Sequence, residues 1–389
     1  SIIVYVCNST AAYRLAPSSS SLTLWKTGDY RGFGGQTITA PYQFYTVYDK
    51  NIGGTNTGWA LWANAEAGRL IQNIYLEANA LNLGTVCLAA RSGVATGLGL
   101  PSNEYPLYKM PLGYPASPYT NYQNLVMGTR PSSASLPAIQ DSSMGFVTAL
   151  GSLSSSRSWS TSPVTSQELS QVLWAAYGSS YYRDTSASPA IVHRTVPSAH
   201  HYYPMRLYAI TSSGVYRYNN ETHSLTTIVS GDKRATLASA CGNSWASSAP
   251  LIIMVMYFDD NSTQYEVGGE ETYVEVGLIS QDVYLEGKAW NLAVDWGKAN
   301  TNEAAVRTAL GLTDTRLHPT SIITVGHPLV LGDINHDGIV DIFDVVLAAS
   351  AFGSTPLDSN WNQAADLNND DVVDILDIVL LANNFGKTI

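Results

Sequence analysis

The segment Asp333-Ile-Asn-His-Asp-Gly-Ile-Val-Asp-Ile-Phe-Asp344 recurs 33 residues later as Asp366-Leu-Asn-Asn-Asp-Asp-Val-Val-Asp-Ile-Leu-Asp377, and nothing else in the 389-residue chain restricts its folding as tightly. A twelve-residue loop wraps roughly six to eight oxygens around calcium when groups at positions 1, 3, 5, 7, 9 and 12 point inward. In the first copy these are Asp333, Asn335, Asp337, Ile339, Asp341 and Asp344; in the second, Asp366, Asn368, Asp370, Val372, Asp374 and Asp377. Position 7 contributes its backbone carbonyl. Position 6 needs a left-handed turn, which Gly338 adopts freely and Asp371 tolerates. Each loop runs into an apolar helix ending in Phe-Gly, at Phe352-Gly353 and Phe385-Gly386. From Asp333 onward there are ten Asp, no Glu and one Lys, so −9 of the total charge of −11 lies in this tail. Carboxylates gathered in one loop repel until a cation neutralises them. Two calcium ions are therefore expected, with their binding energy forming part of the tail's folding energy.

Asp at position 12, a helix after each loop only, and the duplicated Phe-Gly end resemble the type I dockerins. The resemblance covers residues 331–389 and implies a small all-α calcium-binding module whose partner is a cohesin-like module. In that family loop positions 10 and 11 help to choose the partner. Here they are Ile342-Phe343 and Ile375-Leu376, more apolar than the Ser/Thr pairs of cellulosomal dockerins. A partner within the chain, or a neighbouring copy of it, is the alternative.

The remainder is nearly neutral, which excludes nucleic acid as a partner because phosphate neutralisation needs clustered Lys and Arg. Only 13% of residues are charged and Tyr occurs 24 times. That surface, rich in hydroxyls and amides, points to a secreted or cell-surface protein; for the start at Ser1 one reading is a removed signal peptide, and an artificially trimmed start is the alternative. The composition also fits an archaeal surface protein. No apolar run is long enough for a membrane span; the longest, Leu251 to Phe258, has strand length. Asn8, Asn220 and Asn261 open N-glycosylation sequons. Of Cys7, Cys87 and Cys241, a Cys7–Cys87 disulfide is expected to staple the N-terminal strand, with three free thiols as the alternative.

A second, fainter repeat organises the body. Glu66-Ala-Gly-Arg-Leu-Ile-Gln-Asn-Ile-Tyr-Leu-Glu77 matches Glu275-Val-Gly-Leu-Ile-Ser-Gln-Asp-Val-Tyr-Leu-Glu286 at an offset of 209, both with helical periodicity. Both continue to Leu-Gly-Leu (98–100 and 310–312) and to a strand ending at Leu112-Gly-Tyr-Pro115 or Val325-Gly-His-Pro328. The spacing predicts a helix over 166–177 after Thr165 or Ser166, strands over 205–211, 214–218 and 251–257, and a helix over 301–310. The fold class is α+β. The N-terminal Ser1–Val6 is read as a strand, either within its own sheet or donated to a neighbouring molecule, which would build a filament.

Residues 157–164, 169–178 and 194–210, followed by the helix from Glu275 and the strand to Pro328, resemble the nitroreductase superfamily, in particular its thiazole/oxazole-forming dehydrogenase branch. The first copy resembles only the back half of that fold, from Ala65 to Pro115. The resemblance implies residues 1–130 and 157–330 as two copies forming an internal pseudo-dimer, joined by a Ser-rich linker at 131–156, with FMN bound between subunits. In the family an Arg-Arg-Ser-X-Arg run holds the flavin phosphate. The corresponding residues are Leu153, Ser154, Ser155, Ser156 and Arg157, so two of three cations are missing. Phosphate prefers bidentate guanidinium partners, so FMN binding should be severely weakened. The family's Pro-Ser-Ala-Gly loop beside the flavin reads Pro197-Ser198-Ala199-His200, with a bulky ring where Gly gives clearance. Ser155, Arg157, Pro197 and Ser198 are the candidate flavin-binding residues, with a helix cap or a carboxylate pair as the alternative role of Arg157, and no catalytic residue is assigned. His193, His200 and His201 fit no metal-ligand spacing. The sequence thus reads as a nitroreductase-fold structural or assembly subunit with an eroded flavin site. An extracellular FMN-dependent oxidoreductase anchored by its tail is the alternative.

Overall fold

The computed structural model describes all residues except 17–19, 36–39, 56–57, 91–92, 116–124, 128–134, 185–190, 261–268, 300–301 and 389, and leaves aside the side chains at 59, 125–127, 181–184 and 191–192. The sequon at Asn261 lies outside the described residues. The chain divides into two compact units: Ser1–Arg130, Ala176–Pro204 and Asp259–Asp282 form the first, and Pro131–Ala175, Met205–Phe258 and Val283–Ile389 the second.

The first unit holds a seven-stranded antiparallel sheet of β1 (Ile2–Cys7), β2 (Ala11–Ala16), β3 (Ser21–Thr27), β4 (Tyr42–Asp49), β5 (Gly84–Thr85), β6 (Leu88–Ala89) and β7 (Glu104–Gly113), in the order β3-β2-β1-β4-β7-β5 with β6 also on β7. β1 is mostly buried and pairs on both sides, Tyr5 with Arg14 of β2 and Ile2 with Tyr48 of β4. Its ladder is filled within its own sheet. This corrects the donated-strand alternative and removes the structural motive for a filament built that way. Cys7 is likewise not in a disulfide, and neither is Cys87 or Cys241. Cys7 lies in the core with Ile3, Tyr5 and Tyr45, where burial pushes its thiol up to about 12, while the Cys87 N–H is held by Tyr75 Oη at 2.6 Å. A small sheet of β8 (Leu125–Met127), β9 (Ser179–Asp184) and β10 (Ile191–Arg194) completes the strands of this unit.

The second unit holds β11 (Met205–Thr211), β12 (Gly214–Asn219), β13 (Ser224–Ser230), β14 (Leu251–Phe258), β15 (Ala293–Lys298) and β16 (Leu317–Gly326), ordered β13-β12-β11-β14-β16-β15. This is the order of the first sheet's main path, with β6 as the extra strand there. β14 is apolar along its length because it is central and buried on both faces. Local details repeat too. Arg31 forks onto Asp29 and reaches the Ala40 carbonyl; Arg234 forks onto Asp232 and reaches Ala249. A Cβ at Gly113 would meet Pro41 Cδ at 2.6 Å, and one at Gly326 would meet Pro250 Cδ at 2.6 Å. These close approaches account for the glycine in both strand-end motifs.

The helix Ser166–Tyr177 forms where expected. Thr165 caps it: its Oγ1 accepts the Glu168 N–H at 3.2 Å, and Glu168 Oε2 accepts the Thr165 N–H at 2.7 Å. The helix expected over 301–310 is observed at Glu303–Ala309, capped by Asn302. The Ser-rich stretch is folded over its described part. Phe146–Gly151 is helical, Leu136 and Ile139 are buried, and Gln140 exchanges backbone bonds with the Gln171 amide.

In the tail, helices Ile342–Ala351 and Ile375–Asn384 each start with a capping box, Asp341 with Asp344 and Asp374 with Asp377. The Phe-Gly ends have a purpose the repeat alone does not explain. Gly386 N–H donates to Val340 O at 2.8 Å, and Gly353 N–H donates to Val373 O at 2.7 Å, so each helix end clasps the loop of the other repeat. Both glycines sit at φ +80°, a conformation that carries a Cβ penalty for other residues. A short helical turn at Gln363–Ala365 and one isolated β-bridge, Ile339 with Thr388, complete the module.

Candidate cation loops and flavin segment

Each loop is held in shape by its own backbone. Asp333 Oδ1 accepts the Asp337 N–H at 3.1 Å and Oδ2 the Gly338 N–H at 2.8 Å; Asp344 accepts from Ile334, Asn335 and Asp341. The second loop repeats this, with Asp366 bound by Asp370 and Asp371, and Asp377 by Leu367, Asn368 and Asp374. Gly338 and Asp371 at position 6 are both left-handed, at φ 96° and 65°. Asp333, Asp344, Asp366 and Asp377 are buried, at 3, 0, 6 and 0% exposure. The module's only Lys or Arg, Lys387, donates to Asn384 instead. Burial raises the pKa of Asp333; the Gly338 N–H opposes that, and the neighbouring Asp344 and Asp337 charges add to it. Buried carboxylates without a protein cation are costly, and the all-oxygen donor set suits a hard divalent ion. Among the described residues no three Asp, Glu, His or Cys side chains converge as a ready metal cluster, the His193, His200 and His201 group included. At positions 10 and 11, Ile342, Phe343, Ile375 and Leu376 are all exposed.

Of the candidate flavin residues, Ser155 and Arg157 lie in the second unit, and Pro197 and Ser198 in the first. Arg157 Nε donates to Asp295 Oδ2 at 2.5 Å, and its guanidinium lies 4.3 Å from the centroid of the Trp245 ring. Ser155 Oγ is 2.9 Å from Tyr284 Oη, which donates to Asp295 Oδ1 at 3.1 Å. Arg157 thus bonds the buried Asp295 carboxylate directly, and Ser155 is linked to it only through Tyr284. Ser198 Oγ donates to Glu275 Oε2 at 2.7 Å, and Tyr177 Oη to Glu275 Oε1 at 2.5 Å. His200 is left-handed at φ 52°, as are His201 and Tyr203. Asp295, Tyr284 and Glu275 escaped the sequence reading. Nothing in their spacing links them to residues more than 70 positions away, although Glu275 and Tyr284 lie in the recognised helix repeat.

Within the first unit, the helix Trp59–Ala80 crosses the N-terminal part of Glu270–Ala289 through the repeat itself. Gly68 and Gly277 are matched residues, and a Cβ on either would meet the other's Cα at 3.0 or 2.9 Å. Gln72 Nε2 donates to Asp282 at 2.7 Å, and its counterpart Gln281 donates to Asn73, the counterpart of Asp282, at 2.9 Å.

The family model for the nitroreductase family matches residues 154–327, and that for the dockerin type I domain matches 331–386. A 183-residue stretch is 29% identical to a Methanocaldococcus jannaschii protein that carries the name nitroreductase, covering 44% of this chain and 86% of that one. A crystal structure from Anabaena variabilis, of a protein also so named, has a TM-score of 0.64 over 84% of this chain and 80% of its own, at 15% identity. One from Ralstonia eutropha covers 54% and 91%, at 21% identity and a TM-score of 0.42. The Anabaena likeness concerns fold alone, and it extends beyond either body repeat.

Proposed function

We propose, for a chain whose residues 154–327 form a nitroreductase-family domain and residues 331–386 a type I dockerin domain, that it is a secreted or cell-surface assembly subunit. In this reading the flavin-fold body serves as a scaffold and the calcium-loaded tail as its attachment point. Residues 1–130 are a shortened copy of the fold, 131–156 joins the copies, 157–330 is the fuller copy and 331–389 the module. The reciprocal contacts Gly68–Gly277, Gln72–Asp282 and Gln281–Asn73 support an internal pseudo-dimer, because matched residues meet each other only about a two-fold relation. The tail is proposed to hold two calcium ions and to present Ile342, Phe343, Ile375 and Leu376 to a cohesin-like module.

The observation that carries the structural role is the Arg157–Asp295 pair. In a family whose phosphate site uses three Arg, this chain keeps one and commits it to an internal carboxylate. A flavin phosphate approaching Arg157 would meet the Asp295 charge as well, so the residues present do not fit the phosphate of FMN. The oxidoreductase reading is favoured by one observation: His200 keeps the left-handed backbone expected where the family has Gly. Visible absorbance of the chain purified from FMN-supplemented cells separates the two. No flavin band, and no retention of FMN in equilibrium dialysis, is expected. Stoichiometric flavin would sink the scaffold reading.

A further inference from the structure

The two cation loops are alike in sequence and internal bonding but not in surroundings. Residues 155–162 run along the second unit as a strip. Ser156 N–H donates to Val294 O at 3.2 Å, Trp159 bridges to Pro328, and Ser160 N–H donates to His327 O at 3.0 Å. The strip ends on the first loop. Thr161 donates twice to His336 O, from its N–H at 2.8 Å and its Oγ1 at 2.7 Å, and Ser162 Oγ donates to Asp337 O at 2.9 Å.

Those two carbonyls belong to particular peptide units. The peptide with the His336 carbonyl has the Asp337 N–H that binds Asp333 Oδ1, and the next, with the Asp337 carbonyl, has the Gly338 N–H that binds Asp333 Oδ2. Thr161 and Ser162 therefore grip, from behind, both peptides that hold the position-1 carboxylate. A donor at the C=O end polarises a peptide and strengthens its N–H as a donor. It also fixes the plane, so less ordering remains to be done when the cation binds. In the second loop the corresponding peptides, with the Asn369 and Asp370 carbonyls, bind Asp366 in the same way at 3.1 and 2.9 Å. Among the described residues no donor reaches those carbonyls.

We infer that Thr161 and Ser162 are positioning residues of the first calcium loop, so that this loop is preorganised by the flavin-fold domain and binds calcium more tightly than the second. By reciprocity, calcium in the first loop locks the 157–162 strip, and with it the tail, onto that domain. The inference rests on the calcium reading of the tail but goes beyond it, since that reading treats the loops as equivalent.

Calorimetric titration of the full chain with calcium chloride tests it. Asp370→Ala, at an exposed position-5 ligand, silences the second loop so that the first is read alone; Asp337→Ala does the converse. Adding Thr161→Val with Ser162→Ala should lower first-loop affinity on the order of ten-fold, the sum of two lost side-chain hydrogen bonds. The same pair should leave second-loop affinity within about two-fold, which also shows that the variant is folded. Amide exchange over 157–162 should slow when calcium is added to the wild type and not when it is added to Asp337→Ala. Unchanged first-loop affinity, or equal losses at both loops, overturns the inference while the calcium reading stands. A wild-type chain that takes up no calcium overturns both.

Discussion

His223 is fully buried and has a partner for each ring nitrogen. Tyr218 Oη lies 2.8 Å from Nδ1 and Ser170 Oγ 2.7 Å from Nε2. Ser170 donates its own proton to Pro137 O at 2.6 Å, so the network is satisfied by a neutral ring carrying its proton on Nε2. Burial lowers the His223 pKa, with the Pro137 carbonyl opposing in part. A folded pKa below the unfolded value of about 6.5 means that the unfolded chain binds the proton more readily, so stability is lost as pH falls through and below that value. Denaturant midpoints at pH 7 and pH 5 should therefore fall further for the wild type than for His223→Gln, which cannot take up the proton; equal slopes would contradict this. At the same scale, the loop oxygens were legible in the sequence because a twelve-residue spacing is local. Asp295 was not, because its meeting with Arg157 spans 138 positions.

At the scale of elements, the two long helices show why a faint repeat survives. Gly68 and Gly277 stand mid-helix, where Gly costs about 0.5–1 kcal/mol relative to Ala. On propensity alone Gly→Ala would stabilise. A Cβ at Gly68 would lie 2.2 Å from Val274 O, and one at Gly277 the same distance from Ala65 O, and backbone atoms do not yield cheaply. Gly68→Ala and Gly277→Ala should each destabilise by about 1–3 kcal/mol, with the double variant non-additive because the helices need separate only once. Chemical denaturation of the three variants checks this, and additivity would argue against a shared contact. Helix periodicity and glycine position were readable. The edge or central place of β1 was not, since an apolar strand of that length fits either and only its pairing to β2 and β4 decides.

For the whole molecule, the proposed calcium loading of the tail has the widest consequence. If the loops hold calcium as proposed, its removal leaves the buried Asp333, Asp344, Asp366 and Asp377 without a counter-charge. A chelator should lower the melting temperature of the tail and expose it to protease while the two sheets of the body, far richer in apolar core, persist. Scanning calorimetry and limited proteolysis with and without chelator measure this, and an unchanged tail would refute the metal dependence. The sequence alone determined the two loops, the α+β class, the repeated helix and the strands around 205–211, 214–218 and 251–257, because these depend on short-range spacing and periodicity. Tertiary structure decided which partner each polar group found: Asp295 for Arg157, Glu275 for Ser198, the body strip for one loop and none among the described residues for its twin. Those choices join groups far apart in the chain, and no local pattern encodes a distance that only folding closes.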